Sequence, residues 1–122
     1  MKSFLLVFLG GGLGSALRYL VASAMNQYSK VLPFGTFTVN ILGCLLIGMI
    51  LGYAQRENTL TSNQTLLLAT GFCGGFTTFS AFANENLELI KNGEIFNFSV
   101  YTIGSILVGI LAVFIGFYLI NR

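Results

Sequence analysis

The stretch GFCGGFTTFSAF, residues 71–82, lies inside an apolar run far too long to be a loop. It gathers two adjacent glycines, two threonines, a serine and phenylalanines at three-residue spacing where lipid or protein must surround them. Gly74 and Gly75 are poor helix residues, and Thr77 and Thr78 can bond locally to backbone, so the pattern predicts a helix that opens across residues 74–78. Opening it frees backbone carbonyls. At bilayer depth these are tolerated only when buried in protein or lining a hydrated cavity, and in transporters such breaks hold cations. A glycine-rich packing face, its threonines bonded back onto the preceding turn, accounts for the same residues equally well.

The surrounding chain sets the environment of that stretch. Of its 122 residues 55% are hydrophobic and 8% charged, with a mean hydropathy of +0.83, which is too little polar surface for a domain in water. Apolar segments at 4–25, 34–54, 65–90 and 96–120 each approach the roughly 20 residues that cross a hydrocarbon layer about 30 Å thick. The expected fold is therefore an all-α integral membrane protein, a single four-helix transmembrane domain over residues 1–122, with its third helix broken near the middle. The spans and their short connections leave no residues for a soluble domain, an extramembrane enzyme or a basic nucleic-acid patch. A net charge of +2 is too small to argue for an anionic macromolecule.

Cys44 and Cys73 fall within spans, without partners at metal-ligand spacing and with no histidine in the chain, and read as small packing residues. At the N-terminus, Lys2, the apolar run 4–17 and the triplet Ala22, Ser23, Ala24 imitate a cleavable signal peptide. The apolar run continues past Arg18 to Met25, which suits a retained helix better.

Boundaries are well marked. Asn26, Gln27, Ser29 and Lys30 close the first span, and Pro33 suits the opening turn of the second. Residues 55–63 are polar, and Thr61 followed by Gln64 has capping-box spacing. Lys91, Asn92 and Gly93 end the third span with a cation near its negative pole and a left-handed cap to hand. Gly10 and Gly14, Gly48 and Gly52, and Gly71 and Gly75 lie four apart, the spacing that lets helices approach closely. Lys2, Arg56 and Arg122 fall on one side of the four spans, against Lys30, Lys91 and Arg18 on the other. The rule that keeps basic residues cytoplasmic therefore prefers neither orientation, and dual insertion with pairing to an inverted copy is expected.

Beyond the glycines, Phe76, Phe79 and Phe82 lie about 60° apart on one side of a helix. Such a stripe is commonly lipid-facing or core, but Ser80, Asn84 and Glu85 share the segment, and an acid near a span marks function more often than lipid contact. Glu88 pairs readily with Lys91 one turn on. The other spans bring Thr36, Thr38 and Asn40, and Tyr101, Thr102 and Ser105. The Asn40 amide has two donors that lipid cannot satisfy. No nucleophile–base pair, convergent carboxylate pair or histidine is present, so catalysis is not expected. Neutral donors and ring edges remain, and these stabilise an anion without a counter-charge.

With these residues in place, the sequence resembles the Fluc-type, or CrcB-like, fluoride channels over its whole length. The likeness is carried by GGGLGSALRY at 10–19, PFGTFTVNILG at 33–43 and above all GFCGGFTTFSAF at 71–82. It implies a dual-topology antiparallel homodimer with two fluoride pores along the subunit seam, in the inner or plasma membrane of a prokaryote. By this resemblance Phe79 and Phe82 are the pore phenylalanines, Asn40 the pore amide, and Tyr101 and Ser105 pore-side groups. Ser80, Thr36 and Glu85 belong to the polar track, and Arg18 stands at the vestibule. Carbonyls of Gly74 and Thr77 from both subunits would hold a structural Na+ at the dimer centre. The chain departs from the family at Ala81, where threonine is usual, and at Gly109, where serine is frequent; both departures bear on the polar track.

The implied activity is passive export of fluoride that enters as neutral HF and ionises inside. Two other readings stand beside it: a small dual-topology exporter of organic cations, which wants an acid deep in the first span where residues 4–25 have none, and a non-transporting assembly protein packed through its glycine faces.

Overall fold

Four runs of the chain are helical over lengths that cross a hydrocarbon layer: Lys2–Asn26, Phe34–Gln55, Ser62–Lys91 and Ile95–Ile120. The computed structural model describes residues 1–56 and 59–122, all helix or connection; residues 57 and 58 of the polar stretch 55–63 lie outside the described residues. The first two runs are the continuous helices α1 (Lys2–Asn26) and α2 (Phe34–Gln55). The third is assembled from α3 (Ser62–Thr65), a π-helical stretch (Leu66–Cys73), α4 (Gly74–Phe76) and α5 (Phe79–Lys91), and the fourth is α6 (Ile95–Ile120).

Local chemistry sets the ends as expected. Asn26 Oδ1 accepts the Gly35 N–H at 3.0 Å, tying the end of α1 to the start of α2. Thr61 and Gln64 form a reciprocal capping box at the start of α3. At the end of α5, Gly93 takes φ +73. There the Glu94 N–H reaches Leu89 O at 2.9 Å and the Gly93 N–H reaches Ile90 O at 3.0 Å, a Schellman closure.

Packing runs through glycine. A Cβ on Gly10 would strike the backbone of Leu67 and Phe72, on Gly14 that of Phe72 and Phe76, and on Gly75 that of Gly11, so α1 lies backbone to backbone along the third span. A Cβ on Gly48 would strike Val113 O and one on Gly116 would strike Leu45 O, which seats α2 on α6 in the same manner. In both pairs the contacting numbers rise together, so each pair is parallel. Without a hydrophobic driving force inside lipid, this closeness supplies dispersion contacts that longer side chains would prevent. Large apolar residues such as Phe8, Leu13, Ile103, Leu107 and Leu111 face outward, as the bilayer requires.

The break corrects two expectations. Gly74 and Gly75 remain helical, and only residues 77–78 leave the helix, with Thr77 at φ −84, ψ 158 and Thr78 at φ −148, ψ 123. Gly75 is needed for contact with α1, so its low helix propensity is overridden by packing. The extended step also separates Phe76 from the other two rings. Phe76 is 3% exposed and stacks on Phe72, whereas Phe79 is 79% exposed, so the three do not form one stripe. The π-helical stretch before the break has no residue signature that distinguishes it from an α-helix.

Candidate functional site

At residues 77–78 the chain gives up helical hydrogen bonds, and side chains take over the freed backbone groups. Asn40 on α2 closes on Thr78 from both ends of its amide: Oδ1 accepts the Thr78 N–H at 2.8 Å and Nδ2 donates to Thr78 O at 3.1 Å. The Thr78 hydroxyl then caps α5, accepting the Ala81 N–H at 3.2 Å, and lies 3.2 Å from the Ser80 hydroxyl. Thr77 turns its hydroxyl back to Cys73 O at 2.9 Å, and Ser15 of α1 donates to Gly75 O at 3.3 Å. Irregular backbone at this depth is thus braced from α1 and α2.

Nearly two turns into α5 a polar junction ties three helices together. Glu85 Oε2 accepts from the Thr36 hydroxyl at 2.7 Å, and its Oε1 from the Tyr101 hydroxyl at 2.9 Å. Two neutral donors therefore hold a carboxyl group that lipid would leave unsatisfied. The aromatic residues form a chain beside it. The rings of Phe79 and Phe82 are 5.7 Å apart and tilted by 48°, and those of Phe82 and Tyr101 are 5.1 Å apart and tilted by 53°. Phe79 and Phe82 both border the groove, and the edge of such a ring carries the positive end of its quadrupole.

The groove, of about 550 Å³, lies between α2, the broken span and α6. Asn40, Gly74, Thr77, Phe79, Phe82 and Ser105 all line it. The Ser105 hydroxyl is buried and has no hydrogen-bond partner among the described residues. The Asn40 amide spends one hydrogen on Thr78 O, which leaves the other unspent. The wall thus offers two unused neutral donors in the groove that Phe79 and Phe82 also line.

The chain matches the family described as CrcB-like protein, Camphor Resistance (CrcB), over residues 5–117. This chain belongs to the CrcB-like family. Its relatives include proteins named fluoride-specific ion channel FluC, of which three illustrate the similarity. The one from Phocaeicola vulgatus is 50% identical over 120 residues, covering 98% of each chain. The one from Flavobacterium psychrophilum is 44% identical over 117 residues, covering 95% of this chain and 94% of its own. The one from Gloeothece citriformis is 48% identical over 123 residues, covering 100% and 99%.

In this CrcB-like chain the residues singled out from the sequence fall into three places. Asn40, Gly74, Thr77, Phe79, Phe82 and Ser105 share the groove; Thr36, Glu85 and Tyr101 form the junction beside it; Ser80 sits exposed at the start of α5 against Thr78. Arg18 is not brought to the groove. It lies on α1, partly buried, and makes no hydrogen bond or ion pair among the described residues. Glu88 and Lys91 pair at 3.5 Å on the exposed end of α5.

Two further residues belong to the site. Thr78 both receives the Asn40 bracket and caps α5, a role its place just before the apolar FSAF run signals. Cys44 lines the groove with its sulfur 3.6 Å from where a Gly109 Cβ would stand. No residue pattern marks that second role. Gly109, which also lines the groove, brings no hydroxyl to it.

Proposed function

We propose that this chain is a fluoride-selective channel that conducts the anion passively across the plasma membrane of a prokaryote, lowering cytoplasmic fluoride. Membership of the CrcB-like family and near-full-length similarity to relatives named fluoride-specific channels support this reading, and the protein is a channel rather than an enzyme. The single observation that carries it on the side of geometry is the Phe79–Phe82 ring pair standing over the groove with the spare donors of Asn40 and Ser105.

The chemistry follows from hydration. Fluoride is small and strongly hydrated, and a bare ion in a low-dielectric medium costs tens of kcal/mol by the Born estimate. Its water must be replaced by donors. Ring edges supply positive potential without a lone pair for a competing cation, and neutral hydroxyl and amide groups supply hydrogen bonds weak enough to release the ion. Thr36 and Tyr101, committed to Glu85, hold α5 and its ring pair in position beside the groove.

The working unit in this reading is an antiparallel homodimer whose two copies are inserted in opposite senses. A large ring as exposed as Phe79, at 79%, on a groove inside a membrane-spanning run supports a second copy, and balanced basic residues support the inversion. A structural Na+ fits the break. Side chains take the amide hydrogens due to the carbonyls of Gly74 and Thr77, both residues line the groove, and uncharged oxygens suit a hard monovalent cation. When bound, the ion would hold the carbonyls of the two copies together.

The test is efflux. Liposomes loaded with potassium fluoride and carrying the purified protein should release fluoride to a selective electrode and retain chloride under the same gradient. Equal release of chloride overturns the selective channel.

A further inference from the structure

We infer that Asn40 and Thr78 are positioning residues for the cation, each keeping one of its carbonyl ligands free by taking the amide hydrogen that would otherwise close the helix onto it. The inference rests on the sodium reading above and deepens it.

In an α-helix the carbonyl of residue i accepts from the amide of residue i+4. The donor due to Gly74 O is the Thr78 N–H, and that hydrogen goes to Asn40 Oδ1 at 2.8 Å. The donor due to Thr77 O is the Ala81 N–H, and that hydrogen goes to Thr78 Oγ1 at 3.2 Å. Two diversions, by two side-chain acceptors, thus leave open the two carbonyls that suit a cation. Three neighbouring carbonyls are treated differently, Cys73 O accepting from both the amide and the hydroxyl of Thr77, Gly75 O from Ser15 and Thr78 O from Asn40 Nδ2, whereas Phe76 O is left open with no side chain diverting a hydrogen from it. These three are occupied, so the break is an arrangement that spends some oxygens and spares others.

The mechanism separates the two ends of the Asn40 amide. Oδ1 protects the Gly74 carbonyl, while Nδ2 satisfies Thr78 O and has a hydrogen left for the groove. A replacement that retains the acceptor but not the donor therefore keeps the cation site and damages anion passage, and one that removes both loses the two together. At Thr78 the acceptor is the hydroxyl, so serine retains the diversion and valine, nearly the same shape, abolishes it.

The experiment uses the full chain in detergent and in liposomes, with sodium chloride replaced stepwise by N-methyl-glucamine chloride, and reads the sodium midpoint for thermal stability. Relative to the parent, Asn40→Leu and Thr78→Val are expected to raise the midpoint about ten-fold or more, the usual cost of removing an outer partner of a metal ligand. Asn40→Asp and Thr78→Ser are expected to stay within about three-fold, although Asn40→Asp reduces fluoride efflux. Helical circular dichroism establishes that each variant is folded; should Asn40→Leu not fold, Thr78→Val carries the test. A parent-like midpoint for folded Thr78→Val overturns the inference and leaves the sodium reading standing. A parent indifferent to sodium overturns both, while its fluoride efflux still reports on the channel.

Discussion

Tyr101 donates its phenolic hydrogen to Glu85 Oε1 at 2.9 Å, joining the fourth helix to the one that carries the phenylalanine pair. The same ring lies 5.1 Å from that of Phe82, so the hydrogen bond also sets the orientation of an aromatic neighbour. A carboxyl group at this depth is costly without partners, and here its two donors come from helices on either side of it. The polar junction is thereby a structural rivet beside the groove.

Removing that hydroxyl tests the rivet. Tyr101→Phe leaves Glu85 with Thr36 alone and should lower stability by about 1–3 kcal/mol, the cost of stripping a partner from a buried charged or polar group. Thermal unfolding followed by circular dichroism measures it, and an unchanged melting temperature contradicts the assignment.

The ring pair makes a different demand. Phe79 is 79% exposed in the chain, so Phe79→Ile should leave helix content intact. Fluoride efflux from liposomes should nevertheless fall at least ten-fold, equivalent to about 1.4 kcal/mol at the barrier. Phe82→Ile should show the same loss together with lower stability, because Phe82 touches both Phe79 and Tyr101. Undiminished efflux in both variants removes the phenylalanines from the path.

Backbone packing is tested by two glycines in opposite surroundings, Gly75 and Gly12. A Cβ on Gly75 would collide with Gly11 O and stand 2.9 Å from Gly11 Cα, whereas one on Gly12 meets nothing within 4 Å. Gly75→Ala should cost about 1–3 kcal/mol through overpacking. Gly12→Ala should be neutral or stabilising by up to about 1 kcal/mol from helix propensity. Equal melting temperatures for the two variants contradict close packing of α1 on the third span.

Gly93 has a purely conformational role. At φ +73 with no atom within 4 Å of its missing Cβ, it is restricted by the backbone and not by space. Gly93→Ala should cost about 1–2 kcal/mol, the penalty of a left-handed residue with a side chain, read from thermal unfolding.

Gly109 leaves room in the groove. A Cβ there would meet Cys44 Sγ at 3.6 Å and Ile41 Cδ1 at 3.9 Å, ordinary contacts. Gly109→Ser should therefore fold with stability within about 0.5 kcal/mol of the parent and raise fluoride efflux by adding a hydroxyl to the wall that Ser105 shares. Lower efflux at unchanged stability opposes this use of the groove.

Much of this protein was legible one segment at a time. The four spans follow from runs of apolar residues, and the ends follow from side chains that bond within a few positions, as with Thr61 and Gln64 or the Gly93 closure. The glycine pairs announced close helix contact, although not which helix each would meet. The Glu85 carboxyl group and the Asn40 amide stood out as groups that lipid cannot satisfy, but their partners were not readable: Thr36 is 49 positions from Glu85, and Thr78 is 38 from Asn40.

Hydropathy, chain length and local hydrogen bonding therefore determined that the chain spans a membrane four times and where each helix starts and stops, because those properties are summed over neighbours in sequence. Packing decided the rest. Close contact with α1 kept Gly75 helical, and the Asn40 amide drew the break to residues 77–78, which buried Phe76 and left Phe79 turned outward. Those outcomes depend on which distant backbone comes within hydrogen-bonding or van der Waals reach, a matter of three-dimensional distance that no run of neighbouring residues encodes.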